Sequence, residues 1–232
     1  MFDQLKAIFI TAPLLVAALC LTGCPSSDSS GNTTVIYGVV SSGGGSTPQA
    51  ISSATVTIYQ VQSGTPSVVA QASSDGAGNF SIKVPSNSAN TASNPITYYA
   101  VARKSPSIEL MASLGTGPLT AVRINELTTV ASAYAFAQLF RNDYSIGGSA
   151  LTLSIAAGMA ENLVSAQSGA ASTVIQTSPN GYETNTWSAL GTLANVLAGC
   201  TQGVANACTN LFAVTPAASG VTPTTTLQAM VN

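Results

Sequence analysis

The sequence contains no histidine. That removes the general base of a Ser-His-Asp or Cys-His triad and any imidazole ligand for zinc. Charge is also scarce, since 6% of residues are charged and Lys and Arg together number six, against about a quarter charged in ordinary soluble domains. With no basic stripe to neutralise a phosphate backbone, nucleic acid is excluded as a partner. Solubility must therefore come from hydroxyls and amides. The chain has neither a Gly-x-Ser-x-Gly elbow nor a Ser-x-x-Lys pair. Gly76-x-Gly78 and Gly115-x-Gly117 lack the third glycine of a dinucleotide loop and read as turns between strands. The carboxylates Glu109, Glu126, Asp143, Glu161 and Glu183 fall one per element, with no spacing that pairs two of them as glycoside hydrolysis requires. They are read as solvated charges, and no catalytic residue, cofactor or metal site is expected. The only tryptophan, Trp187, is assigned to the core.

The longest apolar run, Ala7 to Leu21, is broken only by Thr11 and is too short to span a bilayer. Lys6 precedes it, and Leu21-Thr22-Gly23-Cys24 follows. This layout of an export signal resembles that of bacterial lipoproteins, in which the cysteine becomes the lipidated first residue. The resemblance implies that residues 1–23 are a signal peptide and that Cys24 carries lipid, palmitate included. It places the protein in the bacterial cell envelope, at the outer membrane or cell surface rather than the inner membrane. Cys20 is not the modified residue, because Leu19 stands where the cleaving peptidase takes a small side chain. Residues 24–33, rich in Ser, Gly, Asp and Asn, have nothing to bury and read as a flexible tether.

From Val35 the sequence changes to short β-branched and aromatic runs separated by Gly, Pro, Ser and Asn, the pattern of a β-sandwich. Seven runs are expected as strands: Val35–Val40, Ala54–Val61, Val68–Ser73, Asn79–Val84, Ile96–Arg103, Ile108–Leu114 and Ala121–Ile124. In the fourth, Phe80, Ile82 and Val84 alternate with Asn79, Ser81 and Lys83, as the two faces of a strand require. Gly38-Val39-Val40, Ala54 to Tyr59, Ser74-Asp75-Gly76-Ala77-Gly78-Asn79-Phe80 and Tyr98 to Ala102 together resemble the carboxypeptidase regulatory-like domain. That family implies a seven-stranded antiparallel sandwich of transthyretin or Cna-B type over 34–124. It is an accessory module and implies no catalytic residue. Asp75 alone is too little for calcium, which takes six to eight oxygens. Tyr59 and one of Tyr98 and Tyr99 are candidates for exposure on the sandwich, where a protein or carbohydrate ligand would bind.

At Asn125 the period switches to about 3.6, and residues 125–232 read as a small Ala-rich helical bundle. Asn125 is the expected N-cap of the first helix, with Glu126 in its first turn. This helix runs to about Phe140 with Leu127, Val130, Ala131, Tyr134 and Ala137 in one stripe. A second, Ala150–Ala166, aligns Ile155, Met159 and Leu163 inward, with Glu161 outward. A third, Asn185–Cys200, places Trp187, Leu190, Leu193, Ala194, Leu197 and Cys200 on one side. A shorter fourth carries Cys208, so Cys200 and Cys208 form one bridge in an oxidising compartment. So short a loop stabilises by about 2–3 kcal/mol. Ile124 to Ala131 and Ser178 to Trp187 are similar to a helical region that follows regulatory-like sandwiches in bacterial surface proteins. The last apolar residues, Leu227, Met230 and Val231, start a helix too short to be stable alone, so the chain end is expected to be frayed or weakly packed.

The fold class expected is thus two domains, β then α, and the function a non-enzymatic, lipid-anchored structural or binding module. The alternative is a carboxylate-based envelope hydrolase or an accessory fragment of one, which would bring two of Glu126, Asp143, Glu161 and Glu183 together in an aromatic-walled cleft. The anchor is testable directly. Cys24→Ala is expected to abolish incorporation of labelled palmitate and to leave an uncleaved precursor, whereas Cys20→Ala labels normally. Equal labelling of the two variants would overturn the assignment.

Overall fold

Short runs rich in β-branched and aromatic residues build the strands of the fold. The computed structural model describes residues 33–43, 48–117 and 119–232, so the export signal, Cys20, the tether before Thr33 and the lipid-bearing Cys24 lie outside the described residues. The described residues are mixed α and β, with strands first and helices after, apart from one small hairpin. One open sheet pairs β1 (Thr33–Ser42) antiparallel with β5 (Asn79–Pro85) and with the two-residue β2 (Gln49–Ala50), and parallel with β8 (Ala121–Ile124). A second open sheet runs in the order β4 (Ser67–Ser73), β3 (Thr55–Val61), β6 (Thr97–Arg103), β7 (Glu109–Gly115), all antiparallel. The hairpin β9 (Val164–Ser165) and β10 (Ala170–Ala171) completes ten strands, where seven runs were expected.

β5 follows the alternation in its sequence, with Phe80, Ile82 and Val84 buried and their neighbours exposed. The Asp75–Asn79 turn joins strands of different sheets, so it is a corner and not the turn of a paired hairpin. Asp75 accepts from the amides of Ala77 and Asn79 at 2.9 and 2.8 Å. These bonds, the Asn79 amide first, hold its carboxyl below the usual carboxylate range. Gly78 has φ +79°, and a Cβ there would lie 2.4 Å from the Val40 carbonyl oxygen, so two independent constraints exclude a side chain. Gly38 faces Phe80 across the β1–β5 pair, and the Phe80 ring occupies the space its Cβ would need.

β6 and β7 do not alternate. Nearly every residue of both is buried, because each face of their sheet is covered. Ile58, Tyr98, Ala100, Leu110 and Ala112 join β1, β5 and β8 residues in one buried cluster. On the opposite face Tyr99 and Met111 pack with Phe136, Leu153, Ala156, Ala157 and Leu227 of the helical region. Tyr98 and Tyr99 are therefore both buried, at 1% and 4% exposure, and neither is the free surface tyrosine expected.

The seven α-helices among the described residues are α1 (Glu126–Ala135), α2 (Ala150–Leu163), α3 (Thr173–Gln176), α4 (Asn180–Glu183), α5 (Thr186–Thr201), α6 (Ala207–Val214) and α7 (Thr226–Val231). Asn125 caps α1 in a reciprocal box with Thr128. In α2 the expected apolar face is reversed: Leu153, Ala156, Ala157 and Ala160 are buried, while Ile155 and Met159 are 54% and 42% exposed. Alanines face the sheet because they let the helix come close. Tyr134 of α1 is likewise exposed. Cys200 and Cys208 are bridged, with Cα atoms 4.6 Å apart, joining the end of α5 to α6. The final helix is docked and not frayed: Leu227 and Ala229 are buried, and the Thr226 amide donates to Ser107 O.

The outer edge of β7 shows what the helical region does for the sheet. The amides of Glu109, Met111 and Ser113, spaced by two and so on one side of the strand, have no neighbouring strand to bond. Each donates to a helix hydroxyl: Thr226 Oγ1 at 2.9 Å, Thr129 Oγ1 at 2.9 Å and Ser132 Oγ at 3.0 Å. Thr226 Oγ1 also donates to Glu109 O at 2.6 Å, and Thr129 Oγ1 to Asn125 O at 2.6 Å. α1 and α7 thus stand in for a missing strand. Thr129→Val keeps the shape but strands a buried Met111 N–H, and is expected to lower unfolding stability by about 1–3 kcal/mol. Thr129→Ser should lose much less. Equilibrium denaturation of the two variants checks this, and equal losses would mean that volume matters there and not the hydroxyl.

Candidate functional site

The switch from strand to helix at Ile124 places three polar side chains along one wall of a wide cleft. Arg123 is the penultimate residue of β8, Asn125 caps α1 and Glu126 opens it. The cleft, about 500 Å³, is closed by the β9–β10 hairpin loop, by Gln176 of α3 and by Trp187 and Asn195 of α5. The hairpin is fixed to this corner by Arg123 N, which donates to Ala166 O at 2.8 Å, and by Asn125 Nδ2, which donates to Gly169 O at 2.8 Å. Gly169 has φ +66° and abuts the Arg123 side chain, so the hairpin loop approaches β8 as closely as backbone allows.

Glu126 is the surprise of the site. It is 2% exposed and not a solvated charge. Its Oε1 accepts from Ser42 Oγ at 2.6 Å and from Thr201 Oγ1, and its Oε2 accepts from Gly43 N at 3.0 Å. Ser42 ends β1 and Thr201 ends α5, so one carboxylate ties the first strand, the first helix and the fifth. Its position in the first turn of α1 adds the favourable end of the helix dipole. The neutral donors and the dipole together make the burial of a charge affordable without a cation.

Around this fixed carboxylate the cleft presents groups that bind rather than react. Among the described residues the one ion pair is Arg103–Glu109, so the Arg123 guanidinium is held by none. Gln176 donates to Ala171 O at 2.5 Å, which orients its amide. Trp187, expected in the core, is 44% exposed and offers its indole to the cleft, while Leu190, Ala194 and Leu197 of the same helix are buried. Leu193, expected on the same buried face, is also exposed at 47%, so of that face Leu190, Ala194, Leu197 and Cys200 are core.

The other carboxylates go elsewhere. Glu161, exposed on α2, accepts from Ala166 N at 3.2 Å, and Glu183 is exposed on α4. Asp143 accepts from Ser145 N and Oγ at 3.0 and 2.6 Å, and these bonds hold its carboxyl below the usual range. No two of Glu126, Asp143, Glu161 and Glu183 line a common cleft among the described residues. Glu109 is 8% exposed, is also not solvated, and shares a second cavity with Asp143, but its Oε1 is engaged by Arg103 at 2.6 Å. Cys200 sits in the buried cluster, bridged to Cys208, away from any role as a nucleophile. The buried Glu126 could not be read from spacing, because the hydroxyls that satisfy it lie 84 and 75 residues away.

Glu126→Ala removes an acceptor shared by three donors and is expected to cost about 2–4 kcal/mol of stability. Glu126→Gln, which keeps one acceptor oxygen but turns an N–H toward a donor, should cost about half as much. Chemical denaturation of both variants decides the point; two near-neutral substitutions would mean that the three segments are held by packing alone.

Compared with protein-family models, with curated proteins and with solved structures, the chain matches none.

Proposed function

We propose that this chain is a non-enzymatic binding module of the bacterial cell envelope, anchored through lipid on Cys24 and displayed at the outer membrane or cell surface. In this reading the two four-stranded sheets are the leaves of a carboxypeptidase regulatory-like sandwich, and the helices line its ligand cleft. The observation that carries it is the division of labour between Glu126 and its neighbours. The cleft's one carboxylate is engaged by Ser42, Gly43 and Thr201, so what is free is Arg123, the Asn195 amide, the Gln176 amide oxygen and the face of Trp187. A hydrolase of the glycosidase kind needs two free carboxylates flanking one bond, and this cleft supplies none. A guanidinium suits a planar carboxylate, an indole suits the apolar face of a ring, and amides suit hydroxyls. The ligand class these groups fit together is a carboxylated saccharide.

Trp187 is the only tryptophan in the chain, so its fluorescence reports this cleft alone. Titrating the purified full-length protein with glucuronate and galacturonate oligosaccharides is expected to give a saturable emission change with no cleavage of the saccharide. Arg123→Gln should weaken binding by about 10- to 100-fold, the worth of one charge-assisted hydrogen bond. No saturable change at millimolar saccharide would sink the ligand class, and appearance of shortened oligosaccharides would sink the non-enzymatic reading.

A further inference from the structure

The second cavity, about 180 Å³, lies on the helix-covered face of the β3–β6–β7 sheet, at its outer margin. Four aromatic side chains line it: Tyr59, Tyr99, Phe140 and Tyr144. Tyr59 and Tyr99 are direct partners across the β3–β6 ladder and stack with centroids 5.0 Å apart and planes 11° from parallel. Tyr99, 4% exposed, backs the half-buried Tyr59. Burial, with Tyr59 and Asp143 adding to it, pushes the Tyr99 phenol up, so the ring stays neutral. Tyr144 sits at φ +59° in the turn between Arg141 and Ser145, a left-handed conformation that a bulky residue adopts only at a cost. Its hydroxyl donates to Asn232 Oδ1 at 3.1 Å, which fixes the ring at the cavity wall.

Two carboxylates face the same space. Glu109 is neutralised by Arg103, which leaves Asp143. Its Oδ1 is taken by Ser145, and its bonds keep it ionised through neutral pH. Arg141, which also acts on Asp143, is itself turned to Gly64 O and Thr65 Oγ1 at 2.6 and 3.1 Å and does not line the cavity. The cavity therefore combines ring faces, which attract cations through their quadrupoles, with one carboxylate that is in no ion pair.

We infer that this cavity is a binding site for a trimethylammonium group, separate from the Arg123–Trp187 cleft. A primary ammonium would have to give up water from three N–H donors, and ring faces do not replace those hydrogen bonds. A trimethylated nitrogen has no donor to lose and spreads its charge over methyl groups that pack on aromatic surface. The volume is below the 300–1,000 Å³ or so of drug-sized sites, so the occupant is a small headgroup: a free solute such as choline or a betaine, or the exposed end of a phosphocholine.

The test is isothermal titration of the full-length protein with choline, with 3,3-dimethylbutanol as its uncharged isostere, with ammonium and with glycerophosphocholine. Choline is expected to bind in the millimolar range or tighter, with no detectable binding of the isostere or of ammonium. Asp143→Asn should weaken choline by about tenfold and Tyr59→Leu by at least as much, while Trp187 fluorescence stays as in the parent in both and the thermal transition stays as in the parent in Asp143→Asn. Glycerophosphocholine binding as tightly as choline identifies a phosphocholine end as the source, and weaker binding identifies the free solute; both support the site. Choline binding no better than its isostere, or binding untouched by both substitutions, overturns it.

Discussion

The open edge of β7 is the constraint from which the arrangement of the helices follows. A buried sheet edge with unbonded amides costs several times what a single hydrogen bond contributes, and this chain supplies hydroxyls at the needed spacing from two helices far apart in sequence. Thr129 and Ser132 are three apart on α1 and meet amides two apart on β7, which fixes the axis of α1 along the strand. Thr226 extends the row at its other end. Once α1 lies there, its N-terminus brings Asn125 and Glu126 to the corner where β1, β8 and α5 end, and the large cleft forms beside them.

The low charge of the sequence acquires a structural meaning in this setting. Ser42, Thr129, Ser132, Thr201 and Thr226 are at most partly exposed, and each bonds a backbone group or a carboxylate across a long sequence separation. Hydroxyls can accept from one group and donate to the next, so they serve where a charged side chain would need a counter-ion. Glu126 shows the limit of this economy, since even the one deeply buried carboxylate is held by alcohols and a backbone amide.

Much of the fold is legible in the sequence where a segment has one wet face. β5 shows its alternation, Asn125 shows its cap, and each of the seven β-branched runs overlaps a strand. Legibility fails where both faces are dry. β6 and β7 read as plain apolar runs, so the helix layer behind them has no local signature and Tyr98 and Tyr99 cannot be told apart. In α2 the size of a side chain misleads: alanines bury more completely than Ile155 and Met159 because the helix packs close. The site is less legible still. Arg123, Asn125 and Glu126 fall within four residues, but nothing local announces that Trp187 leaves the core to join them, or that Asp143 meets Tyr59 and Tyr99.

The placement of β1 has a mechanical consequence. As the first described strand it lies inside its sheet, paired over seven residues with β5 on one flank and over four with β8 on the other. A tension entering at Thr33 runs along the strand axis, so these ladders are loaded in shear and their hydrogen bonds must yield together, whereas a strand pulled sideways from an edge would release them one at a time. The parallel β8 resists the same pull from the direction of α1, so load passes into the helical layer and is not confined to the first sheet. The strand that would take a pull applied at Thr33 is thus the one that the fold grips on both sides.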